Sequence, residues 1–243
     1  MFLNYIMDED QQRAVDLALS EKSFFLTGAG GTGKSYTIRL IIDALNKANR
    51  DVSLTAMTGC AALLLGRGAK TLHSWAGIGL GKEPIDTILQ KLRKSFKAKK
   101  GWQSADTLII DEVSMMTPDL FDKLDVIGRS ILRTDKPFGG IQIIAVGDMY
   151  QLPPVNKENT GAFFVFESQT WKLVMQDAVV LRQIHRQSDP VFLKILDEAR
   201  AGRLSQESIQ ILESRRTTEW KKLEIKPTLL FTKRADVDQI NIT

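Results

Sequence analysis

Residues 28–35 read GAGGTGKS, between an apolar run of strand length (23–27, SFFLT) and a run of helical period (36–45, YTIRLIIDAL). This constrains the fold more than any other feature, because G-x-x-x-x-G-K-S binds phosphate only where a strand ends and a helix begins. Gly28, Gly30, Gly31 and Gly33 let the backbone curl, so that its N–H groups, with those of Ala29 and Thr32, face a phosphate. The following helix adds the positive end of its dipole. Lys34 supplies a cation for the outer phosphates, and Ser35 a hydroxyl ligand for magnesium.

Around the loop, short apolar runs alternate with segments of helical period, the pattern of a parallel sheet covered by helices. Strands are expected at 23–27, 52–56, 107–110, 141–146, 178–182 and 228–232. Helices are expected at 9–20, 36–48, 60–65, 84–97, 117–132, 189–201 and 205–214. The central strands are apolar throughout, as when both faces of a sheet are buried. In helix 117–132, Leu120, Leu124, Ile127 and Ile131 form a stripe that would dock on such a sheet. The fold class is α/β, with an irregular insertion at about 77–103, where GIGLG precedes a basic run.

Asp111 and Glu112 follow the run TLII, which puts two carboxylates at the end of a buried strand, where ligands sit in open α/β sheets. Asp111 would hold magnesium through water, and Glu112 would polarise the attacking water. Alone, such a pair reads equally as a solvated turn; the phosphate loop tips the balance. Gln151, in GDMYQLPPV after the strand IQIIAV, is able to contact a γ-phosphate or its water. Arg186, in LRQIHRQ, offers a guanidinium for charge on the transferring phosphate, although a surface ion pair is the commoner fate of an arginine.

Net charge is +4, but the ten residues 91–100 (KLRKSFKAKK) hold six cations and no acid, leaving 27 basic against 29 acidic residues elsewhere. If all six met single-strand phosphates, the salt slope would approach about −4; otherwise the run is a solvated face. A single cysteine, Cys60, excludes an internal disulfide and a cysteine-based zinc site. The opening MFLNYIM lacks the basic flank and length of a signal peptide, and no stretch approaches the roughly 20 apolar residues of a membrane span. A soluble, intracellular protein that binds no membrane is expected.

Taken in order, these stretches resemble the RecD/Pif branch of superfamily-one DNA helicases. DEDQQRAVDLAL (8–19) is similar to the adenine-reading Q motif, GAGGTGKS to motif I, TAMTGCAALLL with TLHSWAGIGLG to motifs Ia and Ib, and LIIDEVSM to motif II. EVSMMTPDLFDKLDVIGRSILR (112–133) resembles the Pif-type signature, GDMYQLPPV motif III and LRQIHRQ motif IV. The resemblance implies a RecA-like P-loop domain over 1–187, and connecting helices with the beginning of a second RecA-like domain over 188–243. It also implies ATP and Mg2+ as cofactors.

Under this resemblance Gln11 would read the adenine edge, Gln151 and Arg186 would sense the γ-phosphate, and Thr58, Thr71 and His73 would line a single-strand track. Gln11 reads otherwise as the exposed face of the first helix, and His73 as a core histidine. Trp75, Phe96 and Trp102 would stack on bases or wedge a fork, with core packing the better reading for at least two of them. Implied partners are single-stranded DNA, forks and G-rich structured DNA, moved along from 5′ to 3′, with a replication or repair partner. Residues resembling motifs V and VI do not follow, so the chain is expected to bind Mg-ATP yet not to unwind DNA without a C-terminal motor half. The alternative is a nucleotide-switched DNA-binding or partner-docking module.

Overall fold

The computed structural model describes residues 7–154, 163–216, 222, 224–225 and 227–242. The chain divides into two compact units, Met1–Asp189 and Pro190–Thr243. The first carries a six-stranded sheet in the order β3-β2-β4-β5-β1-β6. Its strands are β1 (Phe24–Gly28), β2 (Val52–Ala56), β3 (Lys70–Thr71), β4 (Thr107–Asp111), β5 (Gln142–Gly147) and β6 (Asp177–Leu181), and all the pairings are parallel.

Alternate residues of the central strands enter two separate cores. Leu26, Ile109, Ile144 and Val146 pack with α1 (Glu9–Leu19), α2 (Lys34–Lys47) and α3 (Gly59–Leu65) on one face. Leu108, Ile110, Ile143 and Ala145 pack on the other with α4 (Leu72–Ala76), α5 (Ile85–Lys94), α6 (Phe96–Ser104), α7 (Pro118–Leu132) and α8 (Gln169–Val174). The continuous apolar strands thus follow from burial on both faces. In α7 the stripe docks as the spacing requires, with Leu120, Leu124 and Ile127 buried and Ile131 packed at the margin.

The insertion is not irregular. Its basic run spans two helices broken at Ser95, whose hydroxyl caps α6 by accepting from the Ala98 N–H at 3.3 Å. Trp75 and Trp102 are buried against each other, with ring centroids 4.6 Å apart and the Trp102 indole donating to the Ala76 carbonyl. They are core residues; only Phe96, 78% exposed, remains available to bases. Helices α4 and α8 and strand β3 escape sequence reading because two to six residues carry too little period to detect.

The stretch resembling the Pif signature serves packing below the sheet. Phe121 contacts Phe138 and Trp171 at centroid distances of 5.0 and 5.4 Å. Buried Asp125 accepts from the Phe138 N–H at 2.6 Å and from Arg129 Nε at 2.9 Å. Gly128 lets this turn close, since a Cβ there would lie 2.7 Å from the Phe138 backbone. Asp125→Ala strands a buried N–H and a partly buried guanidinium. It is expected to cost about 2–4 kcal/mol, a fall of roughly 5–15 °C in Tm by thermal denaturation, with partial recovery in Asp125→Asn.

The second unit contains α9 (Pro190–Arg200), α10 (Gln206–Ser214) and α11 (Arg234–Ile242). Lys194 bridges the first two by pairing with Glu207 at 2.6 Å. The strand expected at 228–232 does not form, and Leu230 is 92% exposed. A strand needs a neighbour to satisfy its backbone, and the described residues of this unit provide none. Residues 217–221, within the basic segment RRTTEWKK (215–222), lie outside the described residues, as does Val155 at the end of GDMYQLPPV. Among the described residues no helix is long and apolar enough to cross a membrane.

Candidate nucleotide and nucleic-acid site

Strand register collects the candidate residues along one edge of the sheet. Gly28 at the end of β1 is level with Leu181 of β6, and Thr27 with Gly147 of β5. Ala56 at the end of β2 is level with both Asp111 and Thr71. The phosphate loop, the acidic pair and the segments carrying Thr58, Thr71, Gln151 and Arg186 all follow from these strand ends.

In the loop, Lys34 Nζ donates to the carbonyls of Gly28 at 2.7 Å and Ala29 at 3.1 Å, folding the ammonium over the curl. Thr32, buried, donates from its hydroxyl to the Ala29 carbonyl at 2.9 Å and stiffens the turn. Ser35, in the first turn of α2, is exposed. At Gly31 (φ 89) a side chain would be strained and its Cβ would lie 2.9 Å from Arg186 Cβ, so glycine is needed for the close approach of the 184–187 segment. The His185 N–H donates to the Gly31 carbonyl at 2.8 Å, fixing that contact. Arg186 therefore sits on the phosphate loop, as its position after β6 demands.

Gln11 is 1% exposed, which removes the reading of a solvent-facing helix residue. Its Oε1 accepts from the Asp8 N–H at 3.3 Å while its own N–H donates to Asp8 Oδ1 at 2.8 Å, a capping box that starts α1. Its buried Nε2 has no hydrogen-bond partner among the described residues and lies 3.5 Å from the position a Cβ would take on Gly33. Asp8 also approaches His185 Nε2 at 3.5 Å, and Asp10 pairs with Arg182 at 2.6 Å. These two acids clasp the first helix to the strand leading to Arg186.

Asp111 is buried, and its carboxyl pKa is raised to about 6. Burial is the main cause, the neighbouring Glu112 carboxylate adds to it, and the Glu112 backbone N–H and the Lys34 ammonium oppose it. Glu112 adopts the left-handed conformation (φ 57, ψ 39), a strained placement for a non-glycine residue. The 3-10 turn after it (Val113–Met115) abuts Gly147, whose Cβ position is 3.2 Å from the Val113 N, so β5 delivers residues 148–151 beside the acidic pair.

Gln151 Nε2 donates to Asp148 Oδ2 at 3.2 Å, and its backbone N–H to the Asp148 carbonyl at 2.9 Å. Asp148, 1% exposed, also accepts from the Tyr150 N–H at 3.1 Å and is the hub of this turn. Sequence reasoning passed over Asp148 and Asp8. An aspartate opening a turn before two prolines, and one three residues before Gln11, are the local signals that point to them.

The Thr58 and Thr71 hydroxyls cap α3 and α4, accepting from Ala61 N–H at 3.1 Å and Ser74 N–H at 3.3 Å. Each hydroxyl keeps its own proton to donate. His73 is half-buried beside Gly81, and burial holds its imidazole below the usual range.

The family model described as PIF1-like helicase matches residues 6–210. The chain belongs to the PIF1-like helicase family. It is 43% identical over 238 residues to the ATP-dependent DNA helicase PIF1 of Emericella nidulans, covering 95% of this chain and 32% of that relative. The Pif1 helicase of Candida albicans superposes with a TM-score of 0.87 at 38% identity, over 98% of this chain and 53% of that one. The Bacteroides Pif1 helicase in complex with ADP-AlF3 and ssDNA gives 0.80 at 29% identity, over 98% and 57%. The chain thus spans about a third of that curated PIF1 relative and somewhat over half of those solved chains.

Among the described residues no three His, Cys, Asp or Glu side chains are grouped to hold a metal. A magnesium ion here would depend on Ser35, Asp111 and oxygens of the nucleotide itself, the sparse protein coordination usual for Mg2+.

Burial of Asp111 has a measurable consequence. Its carboxyl keeps a proton in the fold up to about pH 6, against 3.8 ordinarily, so stability falls as pH rises between those values and stays lower above. Asp111→Asn is expected to raise stability by about 2–3 kcal/mol at pH 8, with no gain below about pH 4. Thermal melts across that range read both limbs.

Proposed function

We propose that this chain is the nucleotide-binding motor portion of an ATP-dependent DNA helicase. One observation carries the reading: the phosphate loop, the Asp111–Glu112 pair and the Gln151 and Arg186 segments all lie at one end of the parallel sheet. A nucleoside triphosphate fits these residues. The glycines leave the loop backbone free to cradle phosphate once Lys34 moves off its carbonyls, and Gln11 Nε2, without a partner among the described residues, offers a buried donor for an acceptor on the adenine edge.

In the proposed mechanism Lys34 leaves the carbonyls of its own loop for the outer phosphates. Ser35 and Asp111 would hold magnesium, whose chemistry when bound is to neutralise phosphate charge and orient the phosphoryl group. Lys34 already favours ionised Asp111, and a cation held there would do the same, offsetting the cost of its burial. Glu112 positions the attacking water and accepts its proton; its left-handed backbone keeps the carboxylate at the strand end. Gln151, held by Asp148, and Arg186, held by the His185 contact to the loop, sense the γ-phosphate and stabilise the transferring charge.

Thr58, Thr71 and His73 are assigned to a single-strand track beside this edge. A neutral imidazole and two threonine hydroxyls suit hydrogen bonds to a backbone or base better than charge pairing. Pro190–Thr243 is assigned to the connecting helices and opening of a second RecA-like domain, its boundary two residues from the sequence-based division. Forks and G-rich structures are the proposed substrates of the whole protein.

Titration with ATP and GTP in the presence of Mg2+ tests the nucleotide assignment. Wild-type protein is expected to prefer ATP, and Gln11→Ala to lose roughly tenfold of that preference while keeping its affinity for GTP, the effect of about one good hydrogen bond. Equal loss for both nucleotides would mean that Gln11 acts only by starting α1.

A further inference from the structure

We propose that the cleft between α5, α6 and the last turn of α7 docks an acidic peptide segment of a partner protein through one or two apolar side chains. The cleft measures about 660 Å3, within the range of well-formed ligand pockets. Leu89, Ile131 and Leu132 give it apolar side chains, while Arg93, Lys99 and Arg133 supply its charge, and among the described residues no acidic side chain lines it. None of these three cations has an acidic partner among the described residues, whereas nearby Lys91 is paired with Glu83. Arg133 ends α7 in the left-handed conformation (φ 55, ψ 49), where glycine is the favoured residue, so its long cation sits there at some backbone cost.

The shape and lining select the occupant. Three cations without an acidic partner among the described residues, set in a largely polar cleft beside Leu89, Ile131 and Leu132, complement a segment that alternates carboxylates with aliphatic or aromatic side chains. A nucleic-acid strand fits less well, because among the described residues no aromatic side chain lines the cleft to stack on a base. The position agrees: from the last turn of α7 the chain passes through Pro137–Gly140 into the start of β5, the sheet edge opposite the phosphate loop. Arg93 and Lys99 of the basic run therefore face away from the proposed DNA track.

The test is fluorescence anisotropy with the labelled peptide Asp-Leu-Glu-Leu-Asp, a control with both leucines replaced by glycine, and labelled single-stranded and duplex oligonucleotides. Saturable binding of the leucine peptide is expected. It should weaken at least about tenfold both in the control peptide and in the Arg93→Glu/Arg133→Glu protein, whose ATP affinity should stay unchanged. Unchanged ATP affinity also certifies the fold; if the double variant fails to fold, Arg93→Ala and the two peptides on wild-type protein give the same decision. Absence of saturation overturns the proposal, as does equal affinity for both peptides. So does a charge reversal that weakens the oligonucleotides and leaves the peptide untouched, which would assign the cleft to nucleic acid.

Discussion

Lys34→Ala is expected to abolish measurable ATP binding, with Kd raised by roughly 30-fold to several-thousand-fold, corresponding to about 2–5 kcal/mol for removing one member of a close charge pair. Two effects combine. The nucleotide loses the only cation that the loop itself carries, and the unliganded loop loses the bonds from Nζ to the Gly28 and Ala29 carbonyls. The second effect is local, since α2 is held by Ile38, Ile41 and Leu45 in the core, so the variant should remain folded. Calorimetric titration with Mg-ATP reads the first effect, and hydrogen exchange of residues 28–33 the second. Retained ATP affinity would contradict the assignment of the loop.

Glu112→Gln should separate binding from turnover. The amide keeps the size of the side chain and tolerates the same backbone, yet cannot accept the proton of the attacking water. Turnover should fall by about 10²–10⁴ while ATP affinity is preserved. Glu112→Gly gives a complementary result. Relief of the left-handed strain at φ 57 should stabilise the fold by about 1 kcal/mol, with turnover lost as in the glutamine variant. A gain in stability joined to a loss of activity would mark Glu112 as a residue kept for chemistry, and the same contrast is expected of Asp111.

The parts of the site that could be read from sequence are those built by local rules. A phosphate loop needs only a strand, a curl and a helix start, and all three lie within residues 23–45. Asp111 and Glu112 announce themselves because a buried strand cannot continue through two carboxylates. The sheet was legible for a similar reason: burial on both faces leaves uninterrupted apolar runs, as in β4 and β5.

What escaped depends on distant contacts. Gln11 looks like a surface residue on the helical wheel, and its burial beside Gly33 is a long-range contact the wheel does not show. Asp148 acts through the Tyr150 and Gln151 amides, a role visible only once the turn has closed. The run 91–100 showed its charge but not its direction; Ser95 splits it over two helices, and α7 draws part of it to the far edge of the sheet. Residues 228–232 have strand composition but, among the described residues of their unit, no strand to pair with.

Whether the constellation at the sheet edge drives work on DNA is read from steady-state ATP hydrolysis with and without single-stranded oligothymidine, in wild-type protein and in Glu112→Gln. DNA should raise the wild-type rate, and the variant should show neither the basal nor the stimulated rate. Hydrolysis that ignores DNA, or that survives Glu112→Gln, would contradict the account.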